Sequence, residues 1–400
     1  MLAKSSDIME YIPPYIGGDK HDFFNCNNGS YMLRISKTTR QEYDNYSKTL
    51  DQLGFTLYDS NCIRDNYHAT YINNTVLVHA YFTSNDGVAR IIVDPNTTLY
   101  KRKKDITYTR ISETTLYQME LDYRNIDCGM CYITQCADGS FFIIDSAHMN
   151  SVNDHTRLYN LLRSLTPVDQ EIMISGWFLS HAHQDHIAMF MNYLKADFKD
   201  CKIECLYYNF PALTIPGSDK WKEDDKVTIR EFHELVENHR EIPRVKLHTG
   251  QRFFIRNLEI EVLATHEDLY PQQVECFNDT STVILMKIDG SNTLFLGDAN
   301  IAECTIIVAR YGSYVKSDIV QVAHHGYNGS NVGIYFCTDH KVALYSTRQS
   351  RYDESKSTES NKTIIEHSKE IYIAGNGTVA FKLPYTLGTA IVFPKEVNDL

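Results

Sequence analysis

The sequence predicts an α+β protein in which two β-sheets pack face to face with helices outside, preceded by a smaller α+β unit. Downstream of residue 105, strand-like and helical runs alternate in two blocks, and hairpin turns join many of the strands. The turn-rich, then basic stretch "DPNTTLYKRKKD", residues 94 to 105, sets these blocks apart from a shorter strand-rich segment. Four hundred residues exceed what one core usually organises, so two units are expected, residues 1–105 and 106–400.

In the first unit, "YMLRIS" reads as a strand and residues 39 to 53 as a helix. "GFTLYD", "YHATYI", "TVLVHAYF" and "ARIIVD" are further strands, with "INNT" as a hairpin turn. None of its polar residues clusters as a catalytic site would, so a packing, docking or dimerisation role is expected. The basic run that follows reads as a solvated linker. In the second unit, "GMCYITQC" and "SFFIIDSA" are strands joined across "ADGS". A helix at about 153 to 164 leads to the strand "EIMISGWFLS". Then come a helical segment from 186 to 197, the strand "KIECLYYN" and a long amphipathic helix over 221 to 240. "RFFIRNLEIEVLAT", "STVILMKID" and "NTLFLGDA" precede a helix at 300 to 313. "DIVQVAHH", "KVALYS", a helix near 358 to 368 and closing strands including "GTVAFKL" complete the chain.

With 43% hydrophobic residues, 27 Tyr and 18 Phe, the chain can bury a substantial core. A net charge of −12 argues against a broad surface for nucleic acid, which is not the favoured partner. It leaves capture of an anion to a local basic pocket or a bound metal. No signal-peptide core and no apolar run of membrane-spanning length is visible, so a soluble, cytoplasmic protein without membrane association is expected. The ten cysteines are then reduced. The single CxxC, Cys128 and Cys131, lacks the second pair of a structural zinc site and reads as buried thiols in a β-rich core.

The chemistry concentrates in "GWFLSHAHQDHIAMF". Alternate residues of an extended chain share a face, so His181 and His183 can reach one ion as the strand runs out. Asp185 and His186 lie where the chain turns into a helix and can address a second. Imidazole with carboxylate suits zinc, iron or manganese rather than calcium. His233, His239, His248 and His340 carry no such pattern and are given no role.

HxHxDH resembles the signature of the metallo-β-lactamase superfamily. The resemblance implies a four-layer αββα sandwich from about residue 110 onward, holding one or two metals at one edge. Asp145 in "SFFIIDSAH" resembles the family's first aspartate, which supports the metal loop by hydrogen bonding. Asp298 in "TLFLGDAN" resembles the aspartate that bridges both metals. The family's third-motif histidine has no counterpart in "VECFNDT". His266, Asn278 or Asp279 could stand in, or the first metal has one protein ligand fewer. "NDTSTVIL", "LGDAN" and "VAHHGYNGS" resemble the subgroup that contains the hydrolase domain of DNA-uptake channel proteins and the phosphorylcholine esterase. There the HHG motif contributes to the metal site, which implicates His324 and His325, with a slight preference for His324 as the ligand. A late histidine common in that subgroup is also absent, and "TRQSRYDES" offers Arg348 and Arg351, which could neutralise a phosphate or stand as loop charges. "GYNGSN", residues 326 to 331, could admit an anion or be an ordinary turn.

The expected cofactors are two divalent metal ions, zinc foremost, with manganese or iron as alternatives. Such ions lower the pKa of bound water from about 15.7 towards neutrality and provide a hydroxide nucleophile, with Asp185 and Asp298 as the catalytic carboxylates. The expected activity is hydrolysis of a phosphodiester or related phosphoester in a small, anionic substrate. Hydrolysis of a carboxylic ester, lactone, thioester or amide on the same site is the alternative, and a non-catalytic metal-binding scaffold is a third reading.

Overall fold

The computed structural model describes residues 8–27, 29–95, 98–148, 150–151, 153–327 and 330–397. Asn328 and Gly329 of "GYNGSN" lie outside them, as do residues 96 and 97 of the basic stretch.

The N-terminal segment comprises β1 (Lys20–Asn27), β2 (Ser30–Ser36), α1 (Arg40–Gln52), β3 (Thr56–Ile63), β4 (Asn66–Ile72), β5 (Val76–Thr83) and β6 (Val88–Pro95). They form one antiparallel sheet in the order β1-β2-β6-β5-β4-β3. Side chains alternate between its faces. Val78, Ala80, Phe82, Ile91 and Val93 turn to Tyr43, Tyr46 and Leu50 of α1, whose start is closed by a Thr39–Glu42 capping box. β1 is not among the expected strands. "KHDFFNCN" has too few apolar residues to announce one, and pairing with β2 along nearly its whole length makes it an edge strand.

The remaining chain makes two facing sheets. The first is built from β7 (Thr115–Gln118), β8 (Tyr132–Gln135), β9 (Phe141–Ile144), α2 (Asp154–Leu165), β10 (Ile172–Leu179), α3 (Gln184–Ala196), β11 (Cys201–Ile203), β12 (Leu206–Tyr208), α4 (Glu223–Asn238) and β13 (Arg244–Lys246). The second contains β14 (Arg252–Ile255), β15 (Leu258–Ala264), β16 (Val283–Ile288), β17 (Ser291–Phe295), α5 (Ile301–Tyr311), β18 (Ile319–Gln321), α6 (Val332–Thr338), β19 (Val342–Tyr345), α7 (Gln349–Ser355), α8 (Glu359–His367) and β20 (Glu370–Ile373). β21 (Val379–Lys382) and β22 (Ile391–Val392) return to the first sheet, beside β7. The expected single strand "KIECLYYN" is two short ones, both paired parallel to β10, and α7 occupies a stretch expected to be loop.

Strand β9 shows how the layers form. Phe142 and Ile144 face the space between the sheets with Phe178, Ile260, Met286 and Phe295. Phe141 and Ile143 face outward onto Leu158 of α2, Phe190 of α3 and Phe232 of α4. Both faces are apolar because both are covered. α5, α6 and α8 cover the outside of the second sheet through Ile307, Tyr335 and Ile364, giving four layers, αββα. No helix of the described residues is long and apolar enough to cross a membrane.

The N-terminal sheet turns its second face to this sandwich across a buried polar seam. Asp268 accepts from Arg310 Nη1 (2.6 Å), Tyr81 OH (2.8 Å) and Thr249 Oγ1 (2.5 Å), while Arg90 donates to its carbonyl oxygen (2.8 Å). His248 donates from both ring nitrogens, to Asp94 (2.6 Å) and to Glu267 (2.8 Å). Burial alone would push His248 down, but Glu267 and Asp94 outweigh it and raise it to about 9.

Two outcomes follow for stability. Arg310→Leu leaves Asp268 buried beside one fewer cation and should cost about 3–5 kcal/mol in urea unfolding. Because His248 titrates higher folded than unfolded, where it lies near 6.5, its contribution is complete below the unfolded value and is lost as pH rises through about 9. Over that interval the thermal midpoint should fall further in the wild type than in His248→Gln, and parallel curves would remove His248 from the account.

Candidate metal centre

Parallel strands bring the polar residues to one edge. β9, β10 and β12 run parallel in the first sheet, and β17, β18 and β19 in the second. Asp145 follows β9, His181 follows β10, Asp298 follows β17, His325 follows β18 and Ser346 follows β19. Their carboxyl ends open on one crevice, as strand ends do in open α/β sheets.

Two groups of donor atoms form there, each with all atoms within 4.8 Å of one another: His181, His183 and Asp298, and Asp185, His186, Asp298 and His325. Asp298 belongs to both. His183 precedes α3 as its N-cap residue, and Asp185 and His186 occupy the first helical turn, so the end of β10 and the start of α3 supply four donors.

Asp145 organises this turn. Its carboxylate accepts Ser180 N–H (2.6 Å), Ser180 Oγ–H (2.6 Å) and His186 Nδ1–H (2.7 Å). With its hydroxyl proton committed, Ser180 Oγ accepts from His181 Nδ1 (3.1 Å). His325 Nδ1 donates to the Ser346 carbonyl (2.9 Å); Gly129 N, 3.5 Å from the same nitrogen, is too distant to compete. The Nε2 atoms of His181, His186 and His325 therefore all turn to the centre, where His325 Nε2 stands 2.9 Å from Asp185 Oδ2. His186 Nε2 and His325 Nε2 lie 3.2 Å apart, and His181 Nε2 and His183 Nδ1 3.0 Å.

The charges point the same way. Among the described residues Asp145, Asp185 and Asp298 form ion pairs with histidines alone. Burial opposes ionisation of Asp185 and Asp298, yet His186 and His325 hold both carboxyls well below the usual range. Burial pushes His181 and His183 down, toward the neutral form that binds metal, whereas against burial Asp298 and Asp185 hold His186 well above its ordinary value and raise His325 to about 9. Asp298 Oδ1 is buried without a hydrogen-bond donor. Four imidazoles, ionised carboxylates and a shared aspartate form a donor set that fits divalent metal ions, which would displace the protons of His186 and His325.

Two glycines permit the approach. Gly297 has φ 54°, and a Cβ there would lie 3.0 Å from Ser180 Oγ. Gly326 has φ 80°, and its Cβ would meet the Tyr345 ring at 2.6 Å. His324 and His325 also adopt left-handed backbone, φ 50° and 54°.

The structure corrects the preference within the His pair: His325 turns into the donor group, and His324 sits at the rim with Nε2 3.0 Å from Asn278 Nδ2. His266 does not reach the centre. It is buried beside Tyr270, near Glu267 and Lys246 at the seam with the N-terminal sheet. Asn278 lines the cavity over the centre, whereas Asp279 lies away from it beside Asn300, pushed up to about 6 by burial. The first donor group thus has three protein members. Arg348 and Arg351 do not line this cavity; both lie 3.9 Å from Asp127. His233, His239, His248 and His340 stay outside the donor groups.

Three neighbours had no signal in the sequence. Asp225 in the first turn of α4 lies 3.7 Å from His183 Nε2, and only the tertiary packing of α4 against α3 shows it. His148 lines the cavity, with Nδ1 accepting Asn150 N–H (3.0 Å). Cys128 also lines it, its thiol pushed up by burial and by Asp185, while Cys131 of the same CxxC is buried in the core. The cavity measures about 550 Å³ and is walled by Trp221 and Phe277, whose rings pack 4.8 Å apart.

Fold and site together define a four-layer αββα sandwich with a buried His/Asp cluster at one edge that could hold metal. No protein-family model matches the chain, and no curated protein matches it. Among solved structures it is similar to the metallo-β-lactamase fold protein YhfI from Bacillus subtilis, at 12% identity and TM-score 0.39, over 66% of this chain and 97% of that one. It is similar to Zn(2+)-bound PqqB from Methylobacterium extorquens, at 7% identity and TM-score 0.40, over 64% of this chain and 97% of that one. It is also similar to CmlA, a diiron β-hydroxylase from Streptomyces venezuelae, at 12% identity and TM-score 0.40, over 73% of this chain and 55% of that one.

Replacing Asp145 by Ala should weaken metal binding about 10- to 100-fold, because His186 and Ser180 lose the acceptor that orients them. Competition with a chromogenic chelator measures this, and wild-type affinity in Asp145→Ala would remove the orienting role.

Proposed function

We propose that this protein is a metal-dependent hydrolase holding two divalent ions, zinc foremost, and acting on a phosphodiester or related phosphoester. The observation that carries the reading is a pair of donor groups sharing Asp298 at the floor of an open cavity. A closed structural site needs neither the shared carboxylate nor the cavity. His181, His183 and Asp298 would hold one ion, and Asp185, His186, Asp298 and His325 the other. Ions held there supply Lewis acidity and make water acidic enough to ionise near neutral pH. The preference for phosphoesters rests on the resemblance of "NDTSTVIL", "LGDAN" and "VAHHG" to the HHG subgroup.

The chain's own residues do the rest. Asp145 and the Ser346 carbonyl fix the tautomers of His186 and His325. Lys220 and Lys222 at the cavity border attract an anion into a chain of net charge −12. Trp221 and Phe277 exclude water from one wall. Because His148 Nδ1 accepts a backbone N–H, the neutral ring carries its proton on Nε2, a donor for a substrate or leaving-group oxygen in the cavity.

With metal-reconstituted protein, bis-p-nitrophenyl phosphate should turn over in preference to p-nitrophenyl acetate and to a lactone. Turnover of the acyl compounds alone would reject the phosphoester reading. Asp298→Ala should reduce turnover to background with an unchanged melting curve. His148→Ala should lower kcat about 10- to 100-fold, with a larger loss for a phenyl than for a p-nitrophenyl leaving group; equal losses would place its hydrogen bond elsewhere.

A further inference from the structure

Beside Tyr327, which borders the metal cavity, lie two guanidinium groups near the Asp127 carboxylate. The Tyr327 ring borders the metal cavity, 6.3 Å from the His325 ring, and its hydroxyl donates to Asp127 Oδ1 (2.6 Å). The Arg351 guanidinium lies over the Tyr327 ring, 3.9 Å from its centroid. Arg348 Nη2 and Arg351 Nε each stand 3.9 Å from Asp127 Oδ2, beyond hydrogen-bond reach. The Nε atoms of both arginines are buried without an acceptor among the described residues.

Arg348 also lines a second cavity of about 490 Å³, with Arg124, Gln349 and Ser350. Arg124 is held by Asp122 and offers no open fork. The carboxylates that border this cavity are engaged too: Glu120 with Arg157 and the backbone of residues 396 and 397, Asp353 with Lys356 and Gln349. Cys128, which lines the metal cavity, forms a β-bridge with Thr347, the residue before Arg348, and the same loop supplies the Ser346 carbonyl that holds His325. An anion met there faces two guanidiniums, the Asp127 carboxylate that already accepts from Tyr327, and Glu354, which accepts from Arg351 Nη1 at 3.3 Å. Guanidinium forks match phosphate oxygens in pairs.

We infer that Arg348 and Arg351 form a binding site for a second phosphate of the substrate, so that the protein takes a phosphodiester bearing a further terminal phosphate. The substrate then lies along Tyr327, with its scissile phosphate over Asp298 and the terminal one against the two arginines. This deepens the phosphoester reading and rests on it.

Calorimetric titration of the metal-reconstituted full chain with thymidine 5′-phosphate and with thymidine 3′,5′-bisphosphate tests the site without turnover. The bisphosphate should bind at least about tenfold tighter. The double variant Arg348→Gln with Arg351→Gln should bring the two affinities to within about twofold of each other. Arg348→Lys with Arg351→Lys should keep part of the difference, having charge without the fork. Equal wild-type affinities, a wild-type ratio in the glutamine variant, or equal weakening of both ligands would each overturn the inference. A tenfold ratio in a protein that hydrolyses no phosphoester keeps the site and rejects the hydrolase reading, and phosphoester turnover with a ratio of one does the reverse.

Discussion

Imidazoles and carboxylates crowded within about 3 Å of one another in buried space are the constraint on which the rest of the structure depends. His186 Nδ1 is committed to Asp145 and His325 Nδ1 to a carbonyl, so their Nε2 atoms, 3.2 Å apart, both turn to Asp185 and Asp298, whose charges raise both rings. His181 Nε2 and His183 Nδ1 stand 3.0 Å apart beside them. Two ionised carboxylates share the space with no arginine or lysine paired to them among the described residues. Such an arrangement draws positive charge to its centre: protonated His186 and His325 supply it to the two carboxylates, and divalent cations could take the place of those protons with fitting ligand chemistry.

The scaffold explains why the arrangement persists. Every donor sits just past the end of a strand or in the first turn of a helix anchored by both cores. Trp177, Phe178 and Leu179 fix β10 from both faces, and Trp177 Nε1 donates to the Asp145 carbonyl (3.1 Å). Left-handed backbone at Asp145, His324 and His325 is held by its surroundings, as such conformations are at functional sites. The N-terminal sheet contributes at a distance. Its Arg90, Tyr81 and Asp94 brace the segment from Lys246 to Tyr270, which carries β14 and β15 of the second sheet.

Much of this was legible in the sequence, for identifiable reasons. HxHxDH is local, so the period of a strand followed by a helical turn was enough to group its four donors. Asp298 was legible because it ends an apolar strand within a recognisable motif. The choice between His324 and His325 was not, since it depends on how Tyr345 and Ser346, on another strand, pack against the turn. His266 looked available because sequence distance does not reveal that the short helical turn of residues 266–269 faces the N-terminal sheet. β1 escaped because edge pairing, not apolar alternation, makes it a strand. The arginines after β19 read as loop charges or as partners for a phosphate, and only the tertiary structure places Arg351 over the Tyr327 ring, near His325.

Metal stoichiometry tests the central claim most directly. Elemental analysis of the protein, purified without chelators and dialysed against metal-free buffer, should give two equivalents of divalent metal per chain. A single equivalent would contradict the paired centre built on Asp298, and no bound metal after reconstitution would contradict the account of the facing imidazoles altogether.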